Sequence, residues 1–481
     1  ECDAIGGGGG VRELGNERTG RPVSQQQSLP ACRQTHNVII LVLLCYVVDV
    51  VFRLDYDSGM KWNSAHWRRK VNELEKFIAP LVADMGRSER RESAALYIQG
   101  LLMPGQRKSI DPIAHRLRVD SQKLQQFLSD SPWREERVWQ AIRREVIPAV
   151  EPLQAWVVDE TGWLKQGEHS VGVSHQYCGA VGKKAHCQVA VELVVTDGEI
   201  AAPVGGRLYL PETWTKDRTR RQQAGVPDEV VFQTKPDLAG DLIEGALADG
   251  LTAAPILADS LYGRTAEFRR RLRRLGLEYF LHAEDHWLAW TQRPPLTDGY
   301  KFWRVAKTAP KPQKVRQLAE SFKNGQWQTA TWDAADGEKR ATRLAWQQIY
   351  LNTDLDENSG DWPSCWLVAD WPEGQPDPYH VYTAWLKQPP SRGRSLRLSR
   401  GRWPIEQYFQ RGKDDLGLDH FEGRSWRGFH HHLVMSAVAY LFVAADYLRT
   451  KKNFWPHVGT SAARDAAIDR ALAGLLSVLP N

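Results

Sequence analysis

The stretch "AWVVDETG", residues 155–162, places a carboxylate directly after an apolar run. The residues from Ala155 to Val158 have the β-branched and aromatic character of a short strand, and Asp159 follows them. A second stretch, "APILADSLYG", repeats the arrangement, because Asp259 follows the apolar residues Pro255 to Ala258. Sites in α/β sheets are usually built at strand ends. We therefore predict that both acids end strands and, if those strands are neighbours, that the acids lie close together.

The segments around these acids alternate between strand and helix patterns. Three strands are predicted after Pro152, in "AWVVDETG", "HSVGVSHQYCG" and "HCQVAVELVVTDGEI". A helix in "DLAGDLIEGALADG", a strand in "APILADSLYG", a helix in "TAEFRRRLRRLG" and a strand in "LEYFLHA" follow. Three antiparallel strands continued by a parallel one through a crossover helix are the layout of a ribonuclease-H-like sheet. The predicted fold class is therefore α/β, with a ribonuclease-H-like mixed sheet.

A helical domain is predicted before this sheet, over residues 60–150, where apolar residues recur at helical spacing. Within it, "IDPIAHRLRVDSQKLQQFLS" (residues 110–129) has the pattern of two short helices around a tight "RVDS" break. That pattern is similar to a helix-turn-helix, which can bind DNA. Any helical hairpin gives the same pattern, so DNA binding and plain packing both stay open.

The α/β domain is predicted in two parts, residues 151–285 and 396–448, around a β-rich, Trp-rich insertion at 286–395. Candidate strands of the insertion are "WQTATW", "TRLAWQQIYL", "SCWLVADW" and "YHVYTAWL". In the second part, Pro404 predicts the start of a helix with Glu406 in its first turn. The apolar run "HHHLVMSAVAYLFVAADYL" predicts a largely buried helix, and residues 449–481 form a tail.

The first 59 residues differ from the rest of the chain. They include "GGGGG" and the apolar run "NVIILVLLCYVVDVVF", and the first methionine is Met60. The apolar run is short for a membrane span and carries Asp49. We interpret residues 1–59 as a non-native or disordered leader and expect no membrane partner.

The composition matches an ordinary globular protein, with 42% hydrophobic and 25% charged residues. A formal net charge of +5 is compatible with a nucleic-acid partner without requiring one. The six cysteines contain no CxxC pair, which favours a reducing compartment, the cytoplasm.

The acids suggest metal chemistry when they are taken together. Two neighbouring carboxylates do not both stay ionised without a cation between them. Carboxylates around Mg²⁺ can form a two-metal site, with the ions roughly 3.5–4 Å apart, for in-line phosphoryl displacement. For each acid alone, a purely structural role is a strong alternative to metal binding. Asp after a strand commonly caps a turn, and Glu in the first turn of a helix interacts favourably with the helix dipole.

Three stretches carry a resemblance to a known family: "DETGWLKQGEHSVGVSHQYCG", "LADSLYG" and "RWPIEQYFQRGKDDLGLDHFEGRSWRGFHHH". From about Met60 to Leu448 the sequence resembles the DDE transposases of bacterial insertion sequences, specifically the insertion sequence 701 group. That group lies within a larger clan marked Y-x2-R-x3-E-x6-K. The sequence departs from the clan pattern at Ser399, where the clan has Tyr, so no role is carried to that position.

The resemblance implies catalytic, metal-binding acids at Asp159, Asp259 and Glu406 and DNA-binding residues at Arg402 and Lys413. It implies an enzyme that binds the terminal inverted repeats of its element, cleaves the DNA ends with Mg²⁺ or Mn²⁺, and joins the 3′-hydroxyls to target DNA. The expected partner is double-stranded DNA, bound by a homodimer, in the bacterial cytoplasm at the nucleoid. A nuclease without strand transfer and a non-catalytic DNA-binding descendant stay open.

Three further features have competing interpretations. "RRRLRR" (residues 269–274) fits a DNA channel or a solvated basic face equally well. "FHHHL" (residues 429–433) is not expected to bind metal, because consecutive residues diverge around a helix. Related cut-and-paste enzymes hold a flipped base with an aromatic residue of the insertion, and the sequence does not choose among its tryptophans Trp303, Trp327, Trp332, Trp346, Trp362 and Trp366.

Overall fold

The computed structural model describes residues 64–299, 301–333 and 338–454. The predicted leader, with its apolar run, and the tail from residue 455 lie outside these residues. The described chain begins with helices α1 (Ser64–Ile78), α2 (Ser88–Leu102), α3 (Ile110–Leu117), α4 (Ser121–Ser129) and α5 (Glu135–Glu145).

The turn between α3 and α4 lies where the "RVDS" break is predicted. Arg118 adopts the left-handed conformation with φ of 54°, which ends α3. Asp120 then caps α4 by accepting a hydrogen bond from the Gln122 amide at 2.9 Å. The pair packs through α4 residues such as Leu124 and Leu128, which are buried in the main core.

The central α/β segment follows. Its elements are β1 (Ala155–Leu164), β2 (Ser174–Cys178), β3 (Lys183–Thr196), β4 (Ala201–Leu208), α6 (Glu212–Thr215), α7 (Arg218–Ala224), α8 (Lys235–Ala248), β5 (Ile256–Ala258), α9 (Ser260–Gly263), α10 (Ala266–Arg274) and β6 (Tyr279–His282). β3 pairs antiparallel with β1, β2 and β4, whereas β1, β5 and β6 are mutually parallel neighbours. The predicted mixed α/β fold is confirmed.

Two strand predictions need correction. β1 does not end at Asp159 but continues to Leu164, because its second half still pairs with β3. The prediction of three initial strands missed β4, whose sequence "AAPVGGRL" contains Pro and Gly. Gly206 packs closely there, since a Cβ at this position would lie 2.8 Å from the end of the Leu433 side chain.

The predicted strands of the insertion are all present in the described residues. The segment contains β7 (Leu288–Trp290), β8 (Leu296–Asp298), β9 (Trp303–Val305), β10 (Gln313–Lys314), α11 (Val315–Glu320), β11 (Gln328–Asp333), β12 (Lys339–Leu351), β13 (Cys365–Pro372) and β14 (His380–Trp385). β14 pairs antiparallel with β6. The sheet is therefore continuous, in the order β10-β7-β12-β13-β14-β6-β5-β1-β3-β2, with β11 on β12 and β4 on β3.

Helices α12 (Arg392–Arg400), α13 (Trp403–Asp414) and α14 (Trp426–Phe454) complete the described chain. α14 is long and apolar enough to cross a membrane, but 94% of its most apolar window is buried inside the protein. Its histidines diverge as predicted: His430 contacts the Leu208 amide, His431 the Leu128 carbonyl and His432 the Tyr97 hydroxyl. These three residues are packing residues of the core.

The arginines of the basic run on α10 form ion pairs within the protein, so the run is not a uniformly solvated basic face. Arg269 is fully buried and donates to Asp354 and to the Gly263 carbonyl. Arg273 donates to the same Asp354 at 3.0 Å. The rest of the run is also paired: Arg271 with Asp241 and Glu244, and Arg270 and Arg274 with Glu267.

Replacing Arg269 by Ala should lower the free energy of unfolding by about 3–5 kcal/mol, because Asp354 is fully buried and would lose one of its two cations. Arg274→Ala on the same helix is the matched control. Its partner Glu267 is exposed, so its cost should stay within about 0.5 kcal/mol. Urea unfolding of both variants measures the difference, and equal costs would contradict a structural role for the buried pair.

Candidate active site

Asp159 and Asp259 come together at the carboxyl end of β5. β1 and β5 pair in parallel register up to Val158 and Ala258, and each acid is the next residue of its strand or turn. β5 stops there, while β1 continues with β3 as its partner. The two carboxylates therefore lie at the point where β5 ends and the neighbouring strand β1 continues.

Asp259 also serves as a helix cap, which is the alternative role that the sequence left open. Its carboxylate accepts hydrogen bonds from the amides of Leu261 and Tyr262 at 2.9 and 3.4 Å. These bonds fix the side chain at the start of α9. Burial raises the pKa of Asp259, the nearby Glu160 raises it further, and Arg402 and the two amides oppose the rise.

Asp159 is the more strongly perturbed acid. Burial raises its pKa to about 7, with Asp259 and Glu160 adding to the rise and Arg402 opposing it. Its side chain is only 14% exposed. A further cation beside this group, in addition to Arg402, would lower the pKa and favour the ionised form.

Glu160 is a fourth acid that the sequence analysis did not single out. It follows Asp159 directly, and its two carboxylate oxygens accept from Lys235 and from the Tyr262 hydroxyl, each at 2.8 Å. These bonds tie β1 to α8 and α9. The two adjacent acids in "DET" were a sequence signal for Glu160. Its partners Lys235 and Tyr262 lie 75 and 102 residues away, so no local pattern indicates them.

Glu406 lies in the first turn of α13, as predicted, and one arginine joins it to Asp159. Arg402, at the N-cap of that helix, donates from Nη1 to Asp159 and from Nη2 to Glu406. Charge-assisted bonds of this kind are stronger than neutral ones. The structure therefore brings Asp159, Asp259, Glu406 and Arg402 into one cluster.

The other predicted basic residue, Lys413, points away from this cluster. Its amine donates to the Gly162 carbonyl of β1 at 3.2 Å, and burial lowers its pKa. Ser399 lies in the last turn of α12, and its hydroxyl donates to the Leu396 carbonyl. Helix α12 therefore precedes α13 directly, and only Gly401 and Arg402 separate the two helices.

A buried glutamate that the sequence analysis missed also holds α13. Tyr408 donates to Glu192 at 2.8 Å, and burial raises the pKa of Glu192 to about 8. Glu192 pairs directly with Asp159 across β3 and β1, so both side chains face the helix. A single charged residue inside the apolar run "VAVELVV" was its sequence signal.

The cluster opens onto a cleft of about 1040 Å³. Asp259, Glu406 and Arg402 line it, whereas Asp159 does not. The opposite wall comes from the insertion and includes Trp332, over whose ring the Arg400 guanidinium lies at 4.6 Å. His282 and His380, 3.3 Å apart between ring nitrogens, also line the cleft.

The donor chemistry of the cluster fits a hard divalent cation. Carboxylate oxygens are the ligands that Mg²⁺ takes in proteins, and a buried, internally repelling set of acids requires positive charge. Arg402 supplies that charge in this structure. Within the described residues, no three His, Cys, Asp or Glu side chains already stand close enough to enclose a metal ion.

Comparisons with known proteins identify the family. The family model described as DDE superfamily endonuclease matches residues 80–341, which include Asp159 and Asp259. A curated relative, the probable transposase for insertion sequence element IS701 from Microchaete diplosiphon, is 33% identical over 267 residues, 53% of this chain and 66% of that protein. The matched part thus spans just under two thirds of the relative.

A solved structure was also found, the cryo-EM structure of the piggyBac transposase synaptic complex with hairpin DNA. It is 9% identical, covers 91% of this chain and 78% of its own, and has a TM-score of 0.35, too low to support an argument. The family match covers more than half of the chain, and the relative confirms the predicted resemblance to the insertion sequence 701 group. The chain belongs to the DDE superfamily endonucleases.

Proposed function

We propose that this protein is a transposase that binds the terminal inverted repeats of its own element, cleaves the DNA ends by metal-dependent hydrolysis and joins the freed 3′-hydroxyls to target DNA. The observation that carries the proposal is the convergence of Asp159, Asp259 and Glu406 around Arg402 beside an open cleft. These residues come from a strand, a turn and a distant helix, and they are the acids that the family resemblance selects.

The strand order supports a ribonuclease-H-like catalytic domain. Strands β4, β3, β1, β5 and β6 lie side by side, with antiparallel pairs first and parallel pairs after them. The sequence predicted the same change from antiparallel to parallel pairing, with β2 in place of β4. In this proposal residues 151–285 and 396–448 form the catalytic domain and residues 286–395 the insertion.

In this mechanism Asp159, Asp259 and Glu406 would hold a two-metal site for Mg²⁺, with Mn²⁺ as a substitute. Once bound, the metal would activate the attacking oxygen and stabilise the leaving oxygen of an in-line displacement. The cap bonds of Asp259 and the anchoring of α13 orient the carboxylates before DNA arrives. Water and then the DNA 3′-hydroxyl act as nucleophiles, so no protein side chain forms a covalent bond to DNA.

DNA binding is assigned to the cleft, which Arg402 lines, and to Lys413, which lies outside the cleft lining. Arg402 and Lys413 are proposed to donate to backbone phosphates. For Lys413 the assignment rests on the family resemblance, because its amine contacts Gly162 in this structure. Among the tryptophans proposed for a flipped base, Trp332 lines the cleft, which favours it for that contact.

The remaining assignments concern assembly. The helical segment 60–150, with the α3–α4 pair, is proposed to contribute to binding of the element ends. Joining two ends requires at least two active sites, so a homodimer is proposed in the DNA complex. The protein would act on DNA in the bacterial cytoplasm.

Asp259→Asn should abolish Mg²⁺-dependent cleavage, by at least about a hundredfold, while binding of the element ends is retained. Asn caps a helix as well as Asp does, so α9 is expected to persist. The assay follows cleavage and joining of labelled DNA carrying both termini, with Asp356→Asn as control. Asp356 accepts from two backbone amides in a similar turn of the insertion, outside the acid cluster.

Retained cleavage by Asp259→Asn would overturn the acid assignment. Cleavage without joining by the wild type would favour the nuclease without strand transfer. Binding without cleavage in either Mg²⁺ or Mn²⁺ would favour the non-catalytic descendant.

The stability difference between Asp159→Asn and the metal-free wild type should shift in favour of the variant as the pH rises from 5 to 8. The folded pKa of Asp159 is about 7, against 3.8 for the free group, so between pH 4 and 7 the native state binds more protons than the unfolded state. Wild-type stability from this group is therefore present at low pH and is lost as the pH rises toward 7. Urea unfolding of both proteins at pH 5 and pH 8 should show this shift, and a stability difference that does not change with pH would contradict the raised pKa of Asp159.

Lys413→Ala should reduce the slope of log affinity for DNA against log salt by about one, because one phosphate contact is removed. Lys216→Ala, on an exposed lysine paired with Glu212, should leave the slope unchanged. Filter binding over a range of salt concentrations makes the comparison. An unchanged slope with a lower melting temperature would assign Lys413 to anchoring α13 on β1.

A further inference from the structure

Arg402 occupies a position that the DNA-binding role alone does not explain. Its guanidinium donates to Asp159 on one side and to Glu406 on the other. Both carboxylates therefore share one internal cation. Since guanidinium donors form a rigid planar fork, the two bonds are made together from a single orientation of the side chain.

This arrangement covers the deeper acid. Asp159 is 14% exposed and does not line the cleft, whereas Arg402 is 34% exposed and does. The guanidinium occupies oxygen lone pairs on both acids that would otherwise be available to a divalent cation. Simultaneous binding of Arg402 and of a metal ion to Asp159 and Glu406 would place like charges against the same two carboxylates.

An alternative partner for Arg402 would lie in the cleft that it lines. A phosphate diester presents two oxygens that match the guanidinium fork, as a carboxylate does. The neighbouring Arg400 is held by Asp370 at 2.6 Å, so it is already committed to a buried acid. Arg402, between the acids and the open cleft, is placed to exchange one anion for another.

We propose that Arg402 is an exchangeable internal cation: it occupies the acids in the free protein, and its transfer to a DNA phosphate in the cleft opens them to a divalent metal. This inference rests on the proposed function. Metal binding and DNA binding then strengthen each other. A metal ion on the acids displaces Arg402 toward the cleft, and a DNA phosphate in the cleft draws Arg402 away from the acids. Arg402 is then a positioning residue that controls when the acid cluster accepts its metal.

The test measures Mn²⁺ binding by electron paramagnetic resonance of the free ion, at pH 8 and without DNA. Arg402→Ala should bind Mn²⁺ about tenfold more tightly than the wild type, a coupling of ordinary size. Arg402→Gln, which keeps hydrogen-bond donors without the charge, should behave in the same way and serves if the Ala variant does not fold. Arg397→Ala, on an exposed arginine of α12, is the matched control and should equal the wild type.

Equal or weaker Mn²⁺ binding by both Arg402 variants would overturn the exchange, because Arg402 would then support the acids and not compete for them. Adding a short DNA duplex should tighten Mn²⁺ binding more in the wild type than in either variant. An equal gain in all proteins would also overturn the proposal.

Failure of the proposed function gives a separate result. If neither the wild type nor any Arg402 variant binds Mn²⁺, with or without duplex, the acids are not a metal site. If Asp159→Asn and Asp259→Asn weaken Mn²⁺ binding while the Arg402 variants do not strengthen it, the metal site stands and only the exchange fails.

Discussion

Two carboxylates fixed on adjacent parallel strands need positive charge, and the architecture around them follows from how that charge is supplied. The β1–β5 register places Asp159 beside Asp259, and burial disfavours ionisation of both. Arg402 offsets this repulsion only because α13 begins at that point. The docking of α13 on the sheet is thus a requirement for a stable acid cluster as well as a source of its third carboxylate.

The docking of α13 depends on acceptor groups of the sheet beneath it. Glu192, opposite Asp159 on β3, accepts from Tyr408 two residues beyond Glu406. Lys413, five residues beyond Tyr408 on α13, donates to the Gly162 carbonyl on β1. The helix is consequently tied to both strands along its length, and the bond between Arg402 and Asp159 is the first of these ties. Glu160 serves the other side of the site through Lys235 and Tyr262.

Sequence reasoning reached the features that local pattern determines. Apolar runs ending in acids located Asp159 and Asp259, and Pro404 with its apolar spacing located the helix of Glu406. The pattern did not reveal β4, whose Gly206 packs against a helix more than two hundred residues later. It also missed Glu160 and Glu192, because their importance comes from partners distant in sequence. The roles of Arg402 and Lys413 came from the resemblance, and sequence spacing does not tell which anion a cation contacts.

A site whose charged side chains already bond to one another differs from a site whose charged side chains are free to bind substrate. In the described structure Arg402 bonds to acids and Lys413 to a backbone carbonyl, so both residues proposed for DNA have partners before DNA is present. Any phosphate must therefore replace a bond that already exists, which lowers the net affinity per contact. The same bonds keep α13 in place when no substrate is bound. The same pairing of basic side chains on α13 with the sheet would then both stabilise the free protein and keep the acids from binding metal until DNA is present.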